Sequence, residues 1–199
     1  MKLHYSAFSP YARKCWAVAI ECGLGDRVEL ISTTPREAPD YGKVNPLQRI
    51  PALVLDDGSV LYDSPVICEY LDWLNAGEKL IPAPGAARWQ VLRLQALGDG
   101  IMDAAVPRRQ ESVRPANQQS PDQLKIYERM INQTLDALET MTEQLKGTNV
   151  GTIAVACALG YLDARFAADE WRKTRPKLAA WEKAFGQRPS LVKTAPPKS

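Results

Sequence analysis

Leu80-Ile81-Pro82-Ala83-Pro84-Gly85 splits this chain into two parts of different character. Two prolines and a glycine there interrupt both the two-residue and the 3.6-residue hydrophobic period. Before that stretch strands and helices alternate; after it the apolar spacing is helical throughout. Lys2 to Ser6 reads as a short strand. Ser9-Pro10 opens a helix, because serine suits the cap and proline is preorganised for the first helical position. Cys15, Val18, Ala19 and Cys22 then fall at i, i+3, i+4 and i+7, and Gly23-Leu24-Gly25 supplies the left-handed stop. With Val28 to Ile31 as a second strand, the opening is a βαβ unit with a connection long enough for a parallel crossover. Thr33 to Val44, carrying Pro35, Pro39 and Gly42, reads as a surface loop or irregular helix.

Ala52 to Leu55 and Val60 to Tyr62 flank Asp56-Asp57-Gly58-Ser59, a hairpin signal. Ser64-Pro65 repeats the cap-and-proline start, Ile67, Tyr70, Leu71 and Leu74 form the apolar stripe of the helix it opens, and Gly77 closes it. Beyond the break, Ala86 to Asp103, Pro121 to Leu145, Ile153 to Ala168 and Pro176 to Phe185 read as helices. The expectation is an α/β domain over 1–80, a linker over 81–85 and an all-α helical domain over 86–199. At the last long helix start, Asn149 is a competent cap. Thr152 offers a shorter, neutral group than a carboxylate for the reciprocal bond, predicting a loss of ~1 kcal/mol.

Composition then removes several functions. With 199 residues, 45% hydrophobic and 24% charged, the chain has the material for a proper core and is not disordered. Lys+Arg at 25 against Asp+Glu at 23 gives no field suited to a nucleic-acid backbone or an anionic bilayer. Met1 to Tyr5 lacks a signal peptide's apolar run, and no stretch approaches the roughly 18 apolar residues of a membrane span, so a cytoplasmic location is expected. His4 is the single histidine, inside the first strand, which excludes a histidine-rich metal site and disfavours a Ser-His-Asp hydrolase. The four cysteines form no C-x-x-C. Cys15 and Cys22, seven residues apart on a helix, lie about 10 Å apart, beyond disulfide reach, and read as packing.

Two segments carry candidate chemistry. Ser9-Pro10-Tyr11-Ala12-Arg13-Lys14 puts a hydroxyl between a strand end and a helix N-terminus, where unpaired amides and the dipole favour an anion; read alone, Ser9 is a cap worth about 1 kcal/mol. Asn45-Pro46-Leu47-Gln48-Arg49-Ile50-Pro51-Ala52-Leu53 puts Pro51 at the entry of a buried strand, as a plain turn or as a cis proline.

The order of these pieces, together with Asp63-Ser64 and the late Arg188-Pro189-Ser190 after the Trp181 helix, resembles the glutathione S-transferase superfamily, in particular bacterial serine-type members. Ser9-Pro10-Tyr11 stands where glutaredoxin-like members have Cys-Pro-Tyr. The resemblance implies a thioredoxin-like N-terminal domain joined to an all-α C-terminal helical bundle. It implies that the Ile50 backbone pairs with the cysteinyl part of glutathione and that Pro51 is the cis proline. Arg49, or less surely Lys43, is then the cation for the glycyl carboxylate. Ser64 on its helix N-terminus would hold the γ-glutamyl carboxylate and Asp63 the ammonium. Ser9 is the expected catalytic donor to the thiolate, with Ser6 and Tyr5 as alternatives. Lowering a thiol pKa of ~8.5 by ~2 units takes about 2.7 kcal/mol.

An electrophile site is expected between the domains, from Tyr11, Asp103, Val106 and Arg108. Trp89, Leu92 and Ala96 read as core or dimer surface, and Asp99 as a group that reaches across a dimer toward the ammonium. The implied protein is a cytoplasmic homodimeric transferase of detoxification. It would use glutathione as co-substrate, with no metal and no tightly bound cofactor, and add it to a small hydrophobic electrophile. A non-catalytic glutathione-binding or regulatory protein of the same fold, and a glutathione-dependent disulfide reductase, remain alternatives. The lack of cysteine at positions 9 and 12 disfavours disulfide attack by the protein's own thiols.

Overall fold

The computed structural model describes residues 1–197, so the last two residues of the expected 86–199 domain lie outside it. β1 (Lys2–Tyr5) runs into α1 (Pro10–Glu21), which crosses over to β2 (Glu29–Ser32). A short helix, α2 (Tyr41–Val44), precedes the hairpin of β3 (Ala52–Val54) and β4 (Val60–Leu61), and α3 (Ser64–Leu74) follows. The sheet order is β2-β1-β3-β4, with β1 parallel to β2, antiparallel to β3, and β3 antiparallel to β4. The parallel pair is the expected βαβ unit. Leu3 and Leu53, opposite each other, are buried under α1 and α3 with Cys15, Val18, Ile67 and Leu71. All four cysteines are buried free thiols.

The helical part comprises α4 (Ala86–Ser112), α5 (Pro121–Thr140), α6 (Val150–Arg165), α7 (Pro176–Phe185) and α8 (Pro189–Lys193). The fold is therefore a thioredoxin-like α/β domain followed by an all-α bundle. Leu80 and Ile81 are not free linker: their amides donate to the two Asp72 carboxylate oxygens at 2.6 and 3.2 Å, and the Leu80 carbonyl accepts from Val150 N at 3.1 Å. Among the described residues no single helix is long and apolar enough to cross a membrane.

Several boundaries differ from the sequence reading. α4 continues nine residues past Asp103, through Pro107. Proline lacks the N–H that would bond the carbonyl four residues back, and that carbonyl belongs to an exposed residue, Asp103. α5 ends at Thr140, with a short 3-10 turn over Thr142–Gln144, and α8 has too few residues to show a period. At α3, Asp63 occupies the cap position and Ser64 is already helical. At α6 the reciprocal bond is made with threonine: Thr152 N donates to Asn149 Oδ1 and Asn149 N donates to Thr152 Oγ1, both at 3.0 Å. A threonine hydroxyl reaches the cap amide without a carboxylate's length.

α4 and α6 cross closely because glycine stands at the crossing. A Cβ on Gly98 would lie 2.6 Å from the Ala154 carbonyl carbon, and one on Gly151 2.5 Å from the Val91 oxygen. Ile101, Ala104 and Ala105 then pack on Val155, Ala158 and Leu159. Gly98→Ala is expected to destabilise the protein by about 1–3 kcal/mol in urea unfolding. Gly100→Ala, two residues on in the same helix with nothing within 4 Å of its Cβ position, should stabilise it by about 0.5–1 kcal/mol. Equal effects would mean that helix propensity, not the crossing, sets both.

Candidate functional site

Strand direction assembles the site. β1 and β3 are antiparallel with His4 opposite Ala52, so the exit of β1 lies beside the entry of β3. β4 is antiparallel to β3 with Leu61 opposite Leu53, which returns its exit to the same end. Ser9, Ile50-Pro51 and Asp63-Ser64 therefore meet at one edge of the sheet, where α1 and α3 both begin. The Ile50–Pro51 peptide is cis, and so is Tyr62–Asp63.

Ser9 is the α1 N-cap: its Oγ accepts from Ala12 N at 3.2 Å. That bond uses a lone pair and leaves the hydroxyl hydrogen available, so capping and donation to a ligand are compatible. Of the alternatives, Ser6 keeps its hydroxyl hydrogen in the same way. Ser6 Oγ accepts from Phe8 N at 3.4 Å, and Tyr5 stands edge-on to Trp16 with ring centroids 6.1 Å apart. Tyr11 gives its hydroxyl to Asp103 Oδ1 at 2.5 Å; burial first, and then Asp103, push its phenol far above the ordinary range, so it stays protonated with its hydrogen committed.

At α3 the Ser64 side chain is 1% exposed and its Oγ has no hydrogen-bond partner among the described residues. No side chain caps the helix, so its first amides are open to an anion. The Ile50 N–H and C=O likewise take no hydrogen bond among the described residues. Asn45 holds the loop beneath them: its Nδ2 and the Tyr41 hydroxyl both donate to the Arg49 carbonyl, at 2.7 and 3.0 Å. Arg49 is exposed, and its guanidinium is unpaired among the described residues, whereas Lys43 pairs with Asp40 at 2.6 Å. Asp63 is exposed at the rim.

Of the four residues expected at the electrophile site, Tyr11 and Asp103 are joined by a hydrogen bond. Val106 packs on the α4–α6 core, and Arg108 is spent on Asp169 and on the Phe166 ring, 4.3 Å from its centroid. Trp89 is 68% exposed, so a core role is excluded. Three basic groups escaped the sequence reading: Lys14, buried on α1, Arg165, over the Phe8 ring, and Arg109 on α4, whose charge reaches Tyr161. No periodicity marks them, because each is placed by a helix from elsewhere in the chain.

Residues 8–74 match the family model described as glutathione S-transferase, N-terminal domain. The uncharacterized GST-like protein YibF of Escherichia coli strain K12 is 37% identical over 204 residues, covering 100% of both chains. A glutathione transferase family member from Pseudomonas fluorescens Pf-5, solved with bound glutathione, is 44% identical with a TM-score of 0.93, over 98% of each chain. Its structure with bound S-(propanoic acid)-glutathione gives 44% identity and a TM-score of 0.90, over 99% of this chain and 100% of that one. Full-length similarity at that identity, on a thioredoxin-like domain with a cis proline and a helical bundle, means that the chain belongs to the glutathione S-transferase superfamily.

Asp99 does not point away from its own chain. Lys14, 0% exposed, places Nζ 2.6 and 2.8 Å from the two Asp99 oxygens, joining α1 to α4. Burial opposes the lysine's charge, but the Cys68 sulfur and the Asp99 carboxylate outweigh it and hold its pKa above the usual lysine value. Burial raises the Asp99 pKa, against the pull of Lys14. Removing one partner of such a pair strands the other, so Lys14→Met should cost about 3–5 kcal/mol in urea unfolding, and Lys14→Met/Asp99→Leu should regain most of it. A double variant no better than the single one would show that the pair does not act as a unit.

Proposed function

We propose that this chain is a glutathione transferase that stabilises the glutathione thiolate and adds it to a small electrophile with an apolar body. The observation that carries the reading is the unpartnered, buried Ser64 hydroxyl at the open N-terminus of α3, beside the unbonded Ile50 backbone and one helix start away from Ser9. These are the partners a γ-glutamyl carboxylate, a cysteinyl amide and a thiolate require. The relatives solved with glutathione and with S-(propanoic acid)-glutathione support the same ligand here.

On this reading Ser64 and the α3 amides bind the γ-glutamyl carboxylate, Asp63 the ammonium, and Arg49 the glycyl carboxylate. The Ile50 backbone pairs with the cysteinyl unit, with Pro51 fixing the approach. The thiol loses its proton to solvent, and Ser9 donates its free hydroxyl hydrogen to sulfur. The thiolate pair then attacks the electrophilic carbon. Residues 1–80 would hold the tripeptide, and 86–199, joined through 81–85, the outer wall at Tyr11, Asp103 and Val106. Trp73, 71% exposed on α3, and Trp89 on α4, with Arg88 bound to Glu69 at 2.6 Å between them, support a second copy of the chain as the partner of that face.

Calorimetry with glutathione tests binding: Ser64→Ala should weaken affinity about tenfold, the scale of one hydrogen bond to a charged group. Ser9→Ala should raise the pH at which the bound thiolate absorbs and cut turnover about 10²-fold. Unchanged turnover would leave Ser9 as a cap alone. Absence of the thiolate band in the wild type would favour the non-catalytic alternative.

A further inference from the structure

The cleft wall opposite Ser9 is more basic than an apolar substrate needs. The Arg165 guanidinium carbon lies 3.7 Å from the centroid of Phe8, the residue immediately before Ser9, and its Nε is buried without a partner among the described residues. Tyr161, which lines a small crevice with Phe8 and Ser9, stands in the field of both Arg165 and Arg109. Neither arginine has a carboxylate partner among the described residues. The nearby acids are already engaged: Asp169 with Arg108, Asp163 with Arg172 and Trp171 Nε1, and Asp103 with the Tyr11 hydroxyl. Arg165, held on the face of Phe8 with guanidinium donors left over, and Arg109, whose charge acts on the same Tyr161, form an oxyanion site with a π-surface beside it.

We infer that the electrophile carries a carboxylate, bound by Arg165 and Arg109, with its apolar or aromatic part against Phe8 and Tyr161 and its reactive carbon toward Ser9. This rests on the transferase reading and narrows its substrate class to anionic electrophiles. For an activated aryl halide acid the step balances: the glutathione thiol gives its proton to solvent, the S–C bond forms, the C–halogen bond breaks, and halide leaves with the bonding pair. The carboxylate takes no part in the chemistry. It fixes the ring so that the carbon bearing the halogen faces sulfur.

Matched probes test this. The conjugates of glutathione with para-chloro-meta-nitrobenzoate and with the corresponding benzamide differ only in the charge of the remote group. In calorimetry the wild-type protein should bind the acid conjugate about tenfold more tightly than the amide, the scale of a charge-assisted contact. In Arg109→Met/Arg165→Met, which keeps the apolar stems, that ratio should fall to about one. Arg165→Lys should retain part of it. Turnover of the two halides, each divided by its uncatalysed rate, should show the same ratio. Equal affinities in the wild type, or a ratio that survives in the double variant, overturn the anion site while glutathione binding leaves the transferase reading intact. A wild-type protein that binds neither glutathione nor either conjugate overturns both.

Discussion

The pairing of β3 against β1 is the constraint on which the site depends. Because the register sets His4 opposite Ala52, the turn that leaves β1 and the Ile50–Pro51 segment that enters β3 share one edge. A one-residue slip would turn Leu53 away from Leu3 and from the face packed under α1 and α3, so burial of Leu3 and Leu53 together enforces the register. The positions of Ser9, Ile50 and Ser64 thus follow from hydrophobic burial in the strands that precede or follow them. The polar groups of the site are placed by an apolar requirement, and they need no mutual attraction to assemble.

The helical part contributes through two contacts of opposite kind. Gly98 and Gly151 let α4 and α6 approach at backbone distance, making one rigid apolar body. Lys14 and Asp99 then tie α4 to α1 by a buried charge pair, and one helical turn further along Tyr11 meets Asp103. Both links start on α1, whose N-terminus carries Ser9. Movement of the helical wall relative to the Ser9 hydroxyl therefore requires opening a desolvated ion pair, a poor use of thermal energy in a low-dielectric setting. The helical wall at α4 and the Ser9 hydroxyl at the start of α1 are thus linked as one piece.

Much of the α/β part was legible because it is locally encoded. Ser9-Pro10 and Asp63-Ser64-Pro65 announce helix starts, Asp57-Gly58 announces a hairpin, and Ile50-Pro51 stands where a strand begins. α4 was read short because Pro107 is normally a stop, and nothing local reveals that the carbonyl it orphans belongs to an exposed residue. The reciprocal Asn149–Thr152 bond was not read because it rests on a distance. Lys14 was passed over as one more charge in a polar run, although it follows from no surface role: its partner lies 85 residues away. Arg165 and Arg109 were missed for the same reason. Arg165 takes its meaning from Phe8, brought over it by the packing of α6 against α1, and Arg109 from its charge on Tyr161 of another helix.

On the proposed reading, Ser9 and the arginines would divide the electrostatic work by distance. A hydroxyl hydrogen bond acts only in contact, so it discriminates thiolate from thiol at one atom. The guanidinium charges act over the Debye length of about 8 Å at physiological salt, and inside a cleft they are screened less than on an open surface. Cations close enough to bind a substrate carboxylate would also favour the ionised sulfur, by an amount that falls with their distance from it. An anionic electrophile spends part of that field when it binds. Its neutralisation of Arg165 leaves the thiolate less stabilised, hence more nucleophilic, at the moment the reactive carbon arrives. In such a site the group that recognises the substrate also tunes the nucleophile, without any residue changing place.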